Sequence, residues 1–147
     1  MAEAFFDARP PGGYRTQRVL TPTDVADPDA SILRQAIRYH QQEQYDLALV
    51  AFRAHFADHP ESDEALTISL AASAAMASGV YAEAGSFSRM LPEGNATRLW
   101  LQALLALREE RRVYASQLLN QLEQTPNNPY PSSDLLLRLS QLSNKGE

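Results

Sequence analysis

The chain has 147 residues, of which 44% are hydrophobic and 21% charged, and this suits one soluble domain that can bury a continuous core. Its 18 acidic and 13 basic residues give a net charge of −5. That balance disfavours binding to a polyphosphate backbone, so we expect no nucleic-acid partner. The chain has no cysteine, which excludes disulfides, thiolate catalysis and cysteine-ligated metal centres.

Residues 1–27 make up the first segment, where prolines and glycines interrupt any helical periodicity. We predict an extended arm here and a helical domain over residues 28–147. The few apolar side chains of the arm leave two alternatives, a flexible tether or an arm that docks on the helices. These side chains are Phe5, Phe6, Tyr14, Val19, Leu20 and Val25.

Seven segments after the arm show the apolar spacing of α-helices, and no stretch shows sustained two-residue alternation. Asp27 followed by Pro28 is typical of a helix start, and Asn95 is predicted to cap another helix. Gly79 and the run from Pro126 to Pro129 are predicted breaks. The predicted helices are residues 28–41, 45–58, 65–78 with Ser62 or Asp63 as cap, 81–90, a helix after Asn95 that carries Trp100 and Leu107, 113–123, and 132–143.

Part of this pattern recurs along the chain. Tyr45 and Ala48 return as Tyr81 and Ala84 after a period of roughly 36 residues, and Trp100 begins a third, weaker copy. A period of this size predicts stacked helical hairpins, because one hairpin alone cannot bury its apolar face.

The pattern resembles the tetratricopeptide repeat, a helical hairpin of about 34 residues. The resemblance covers about Asp29 to Glu123 and departs from the family at Gln35, at His55 and at Arg111-Arg112, where a glycine-containing turn is usual. It implies an all-α, right-handed αα-superhelix of about three hairpins, which the helix at 132–143 would cap. The matching residues are Ile32, Ala36, Tyr39, Tyr45, Ala48, Phe52 and Pro60; Ala71, Ala72, Gly79, Tyr81 and Ala84; and Trp100, Ala103, Leu104 and Ser116.

The segments that flank the repeats are similar to those in tetratricopeptide domains of bacterial membrane-anchored proteins. The matching pieces are Phe5 to Tyr14, Pro126 to Tyr130 and the last helix. This narrower resemblance implies an anchor before Met1 and a place in the bacterial cell envelope, on the periplasmic or the cytoplasmic side; otherwise we expect the cytoplasm. The chain itself contains no apolar run of about 18 residues, and its start lacks the features of a signal peptide.

The residues with chemical potential favour structural roles. His55 and His59 have the i, i+4 spacing of metal ligands, but no third ligand is evident beyond His40, so we expect solvated surface histidines and no metal. The charged run 109–112 is predicted to be a solvated hairpin tip. Trp100 is predicted to fill the core. Because no phosphate loop, dinucleotide fingerprint or hydrolase motif is present, we expect no cofactor and no catalysis.

The resemblance further implies a concave surface formed by the first helix of each hairpin. Two arginines among its apolar and small side chains suit an extended or helical peptide with an acidic end. The alternative is that this groove holds the arm or the last helix of the same chain. The predicted groove residues are Leu33, Ile37, His40, Gln41, Ser69, Ser73, Met76, Arg98, Leu101, Leu105 and Arg108.

Together these observations predict a non-catalytic protein–protein interaction scaffold that binds a peptide or protein partner in the groove. The alternative function is a structural or regulatory domain of a membrane-tethered bacterial assembly, which acts through self-association as a homodimer. Sedimentation distinguishes the two, because a monomer favours binding of a partner and a stable dimer favours assembly.

Overall fold

The computed structural model describes residues 5–11, 28–61 and 64–143, and these contain seven α-helices and no β-strand. The predicted all-α class is confirmed over this part of the chain. Two bounds differ from the sequence prediction by one residue. Helix α3 ends at Ala77 and not at residue 78, and α6 begins at Arg112 and not at residue 113. The helices are α1 Pro28–Gln41, α2 Tyr45–Asp58, α3 Ala65–Ala77, α4 Tyr81–Met90, α5 Ala96–Arg108, α6 Arg112–Glu123 and α7 Ser132–Ser143.

Some of the sequence predictions concern residues outside these described ranges. The predicted caps at Asp27, Ser62 and Asp63, and arm residues 12–27, lie outside the described residues. Among the described helices, none has the length and apolar character that crossing a membrane requires.

The helices form two compact units. One unit runs from Asp7 to Met90 and contains α1–α4. The other contains α5–α7 together with Leu91, Phe5 and Phe6. We refer to them as the α1–α4 unit and the α5–α7 unit.

Within the α1–α4 unit, helix α3 lies at the centre. It packs along α4 and against α2, and it also touches α1, which itself packs along α2. The alanine-rich sequence of α3 leaves no polar face, and small side chains let neighbouring helices approach closely. Its buried residues are Thr67, Ile68, Leu70, Ala71, Ala72, Ser73, Ala74, Ala75 and Met76.

Helices α2 and α4 are also tied to each other by two side-chain pairs. Arg53 donates from Nε to both carboxylate oxygens of Glu83, at 2.9 and 3.0 Å, and its Nη2 lies 2.8 Å from Oε1. The rings of Phe56 and Phe87 pack with their centroids 5.5 Å apart. An apolar contact and a charged contact therefore fix α4 beside α2.

Within the α5–α7 unit, α6 packs against both α5 and α7. Leu119 and Leu122 of α6 and Leu135 of α7 are fully buried. At the start of α5, the Asn95 side chain accepts a hydrogen bond of 3.1 Å from the Arg98 backbone N–H. The predicted cap of this helix is confirmed, and it supplies a partner for one of the amides that a helix start leaves unpaired.

The turns inside the three hairpins share one hydrogen-bonding pattern. Gln44 donates to the Tyr39 carbonyl at 2.9 Å, Val80 to Ala75 at 2.9 Å, and Arg111 to Ala106 at 2.8 Å. In each turn, the preceding residue also donates to the carbonyl three positions back. This is the Schellman motif, which requires a left-handed residue after the helix.

The left-handed position differs among the three turns only in side chain. It is held by Glu43 with φ 60°, Gly79 with φ 79° and Glu110 with φ 60°. Glycine adopts this conformation without steric cost, whereas glutamate does not. The absence of glycine near Arg111 therefore changes the strain of the third turn and leaves its hydrogen bonds the same.

Candidate interaction surface

The predicted groove residues of the α1–α4 unit are mostly inaccessible. Leu33, His40, Ser73 and Met76 are buried, and only Gln41 is exposed. Ile37 and Ser69 are half-buried. Helices α1 and α3 thus offer a partner much less of this surface than the sequence pattern implies.

His40 and Ser73 form a buried polar link between α1 and α3. The Ser73 hydroxyl donates to the Leu70 carbonyl at 3.0 Å, so its oxygen is left to accept from Nε2–H of His40 at 2.8 Å. The His40 ring also meets the Tyr45 ring edge-on, with centroids 5.1 Å apart. Burial lowers the pKa of His40 from 6.5 to about 4, which keeps the imidazole neutral at physiological pH.

The expectation of a solvated histidine is wrong for His55, and the expectation that His40 lines an accessible groove is wrong as well. His40 is fully buried and His55 is 8% exposed. The rings of His55 and His59 lie with centroids 5.2 Å apart, as their i, i+4 spacing implies. Within the described residues, no group of three or more histidine or acidic side chains is arranged to hold a metal.

In the α5–α7 unit, the four predicted groove residues of α5 have different environments. Leu101 is buried, and Arg98 donates from Nη1 to the Leu91 carbonyl at 2.7 Å. Leu105 is half-buried and Arg108 is exposed. Only the last turn of α5 therefore presents both an apolar and a cationic side chain to a partner.

The α5–α6 tip, defined here as residues 108–114, extends that accessible end. The predicted solvation of the charged run 109–112 is confirmed, because all four residues are exposed. Val113 is 75% exposed and Tyr114 is 38% exposed. The Arg111 guanidinium lies over the Tyr114 ring at 4.6 Å from its centroid, a favourable cation–π geometry.

Arginine and tyrosine are the side chains that most often dominate the energy of protein interfaces. The tip combines three arginines, an exposed tyrosine and an exposed valine with the two carboxylates of Glu109 and Glu110. Arg111 also lies 3.7 Å from Glu109. The arrangement can bind a carboxylate and an apolar side chain next to each other.

Within residues 126–131, Tyr130 packs against α5. Tyr130 stacks on Trp100, and its hydroxyl lies 2.6 Å from Thr97 Oγ1. Trp100 is 3% exposed, which confirms the prediction that it fills the core. Asn128 accepts from the Tyr130 backbone N–H at 2.9 Å, and this holds the turn that places the ring.

Glu123 is the last residue of α6, and its side chain contacts the start of α7. Its carboxylate accepts hydrogen bonds from Ser132, and from Ser133 at 2.8 Å. The Ser132 hydrogen bond, followed by that of Ser133, lowers the pKa of Glu123. The negative charge of this carboxylate also interacts favourably with the positive, N-terminal end of the α7 dipole.

Three features of the two units were missed in the sequence. The charged run 109–112 was interpreted as solvated charge only, although the exposed pair Val113 and Tyr114 follows it directly. The role of Tyr130 depends on a contact between distant segments. Leu47 and Val50, in a helix interpreted as packed, are 48% and 59% exposed. The Arg-Arg-Val-Tyr sequence could have indicated the first feature, because apolar residues beside an exposed tip have little to pack against.

No protein-family model, curated protein or solved structure matches this chain.

Proposed function

We propose that this chain is a non-catalytic protein–protein interaction scaffold built from tetratricopeptide-like hairpins. The repeated turn carries this proposal: Glu43, Gly79 and Glu110 occupy the same conformation with the same hydrogen bonds. Three hairpins with one turn geometry are what duplication of a single helical unit would produce. The proposed arrangement is the right-handed αα-superhelix of that family, with α7 as the capping helix.

The proposed partner is a peptide or protein segment that pairs an acidic residue with an apolar one. Its site on the α5–α7 unit is formed by Leu105 and Arg108 of α5 and by Arg111 and Tyr114 of the tip. Arg108 takes the role of carboxylate ligand because it is exposed, whereas Arg98 is half-buried. A guanidinium binds a carboxylate through two parallel hydrogen bonds, which gives both affinity and orientation.

A peptide array tests this proposal. The chain is labelled and probed against peptides in which acidic and apolar residues are varied independently. We expect binding to peptides that carry both, and we expect Arg108→Glu to abolish it because the carboxylate then meets a like charge. Tyr114→Ala should weaken binding about tenfold or more, as the loss of an aromatic contact residue does.

The matched control is Arg138→Glu, the same charge reversal at an exposed position of α7 in the same unit. It should leave peptide binding unchanged. If Arg138→Glu lowers binding as much as Arg108→Glu, the arginines act only through the overall charge of the protein and the proposed site is wrong.

The alternative function, a structural domain of a membrane-tethered assembly that self-associates, has one specific observation in its favour. Leu47 and Val50 on α2 are exposed although apolar, which is typical of a surface that another protein covers.

A further inference from the structure

Helix α2 carries an apolar face that points away from the rest of its unit. Leu47 is 48% and Val50 59% exposed, and Ala54 and Ala57 are exposed as well. Their spacing of three, four and three residues places all four on one side of the helix. The face extends over most of a helix about 21 Å long.

Two opposite charges line one edge of this face. Asp46 is exposed, and the Arg53 side chain is 45% exposed while it pairs with Glu83. The two residues are seven positions apart, so they lie almost above one another, about two helical turns along the same edge.

We propose that α2 is a self-association face, on which two copies of this chain pack their α2 helices antiparallel across a two-fold axis beside Val50. In this arrangement Asp46 of each copy lies opposite Arg53 of the other. Val50 meets its own counterpart near the axis. Leu47 falls opposite the space between Val50 and Ala54, where the small side chain of Ala54 leaves room for it.

Charge favours a second copy in this one orientation. A parallel pair would place this edge of one copy on the opposite side of the contact from the same edge of the other, so Asp46 and Arg53 would not pair with each other across the contact. The Glu83 carboxylate holds the Arg53 guanidinium through Nε and Nη2, which leaves Nη1 to meet the second copy. Each exposed ion pair contributes only about 0.2–1 kcal/mol, so the charges select orientation and the apolar face supplies affinity.

One helix pair makes a small interface, at or below the range of about 1,200 Å² that weak encounters bury. The dimer should therefore be weak and dependent on concentration. This inference does not depend on the proposed peptide site, because it concerns a different helix in the α1–α4 unit and is measured without any peptide.

Sedimentation equilibrium of the full chain, over roughly 10 µM to 1 mM, tests the proposal. We expect a monomer–dimer equilibrium for the parent protein. Val50→Glu should raise the dissociation constant at least about tenfold by placing two carboxylates at the axis. Asp46→Arg should also raise it, because Arg then lies opposite Arg53, while the Arg53–Glu83 pair within each copy stays intact.

A mixture of two variants gives the sharpest readout. Asp46→Arg and Arg53→Glu each place like charges across their own homodimer, whereas their heterodimer places opposite charges at both contacts. We expect the mixture to associate more tightly than either variant alone. Arg89→Glu, the same reversal at an exposed position of α4, is the matched control and should associate like the parent. Helical circular dichroism spectra verify that every variant is folded.

Two outcomes would overturn the proposal. A parent chain that stays monomeric throughout would show that α2 is covered by a different partner or by none. A dimer that persists in Val50→Glu, or a mixture no tighter than its components, would show that self-association uses another surface.

Discussion

Tyr130 lies nearly parallel to Trp100, with ring centroids 5.3 Å apart and an angle of 11° between the ring planes. The two residues come from different segments, one from helix α5 and one from the turn before α7. Burial raises the pKa of the Tyr130 hydroxyl, and the hydrogen bond with Thr97 opposes that rise. This stack holds the turn that leads into α7 against the second turn of α5.

Loss of the Trp100 indole should destabilise the protein strongly. Trp100→Ala removes a large side chain that is 3% exposed and should lower the free energy of unfolding by about 3–5 kcal/mol, because the cavity and the lost burial add. Glu109→Ala, an exposed change, should stay within about 0.5 kcal/mol. Denaturant titration of both variants measures the difference, and similar midpoints would contradict the packing described for α5.

The tyrosine hydroxyl can be tested separately from its ring. Tyr130→Phe keeps the stack and removes the partner of Thr97 Oγ1, so it should lower the free energy of unfolding by about 0.5–1.5 kcal/mol. Tyr130→Ala should cost more, since it removes the stacked ring as well. Equal midpoints for the two variants would mean that stacking on Trp100 contributes nothing.

Stability should depend on pH through His40. Its pKa is about 4 in the folded protein and about 6.5 when unfolded, so the unfolded chain binds a proton at a pH where the folded chain does not. The stability from neutral, buried His40 is full above pH 6.5 and is lost as the pH falls towards 4. Between about pH 7.5 and about pH 5 the loss should be about 2 kcal/mol.

The comparison uses His40→Gln, whose amide can still donate to Ser73 and does not titrate. This variant should lack the loss between the two pH values, whereas His59→Gln, at a side chain that is 32% exposed, should retain it. Denaturant midpoints at both pH values measure the effect. An unchanged pH dependence in His40→Gln would show that another group is responsible.

Introducing glycine in one hairpin turn and removing it from another should have opposite effects on stability. Glu110→Gly should stabilise the protein by up to about 1 kcal/mol, because glutamate is strained at φ 60° and glycine is not. Glu110→Asn should gain less, since asparagine tolerates this conformation only in part.

Gly79→Ala tests the equivalent turn in the other direction. A β-carbon there would meet no atom within 4 Å, so any destabilisation, expected to be about 1 kcal/mol, comes from the backbone alone. Thermal unfolding of the three turn variants ranks them. A destabilised Glu110→Gly would mean that the Glu110 side chain makes a contact that outweighs its strain.

The helices could be predicted from the sequence because their signals are local. Caps such as Asn95 and breaks such as Gly79 act within a few residues, and the apolar spacing extends over each helix. The third turn was harder, because Glu110 takes a conformation that sequence patterns assign to glycine. Its hydrogen bonds to α5 are set by the backbone, which no residue type reveals.

Accessibility of the groove could not be read from repeat positions. The pattern marks Ser73 and Leu101 as positions not needed for packing, yet both are buried. His40 was assigned to the groove from its repeat position, and only the position of Ser73 across from it shows how it is accommodated. Exposure depends on what neighbouring elements cover, and that is a property of the tertiary structure.

Helix α3 determines how the α1–α4 unit opens to solvent. Because most of its residues are buried, most of its amides can exchange with deuterium only when the helices around it separate, so opening of one hairpin alone still leaves part of α3 covered. The slowest-exchanging amides of the unit should therefore lie in α3, at rates that report the unfolding of all four helices together. Amides of the more exposed α2 should exchange sooner, through fluctuations that leave α3 in place.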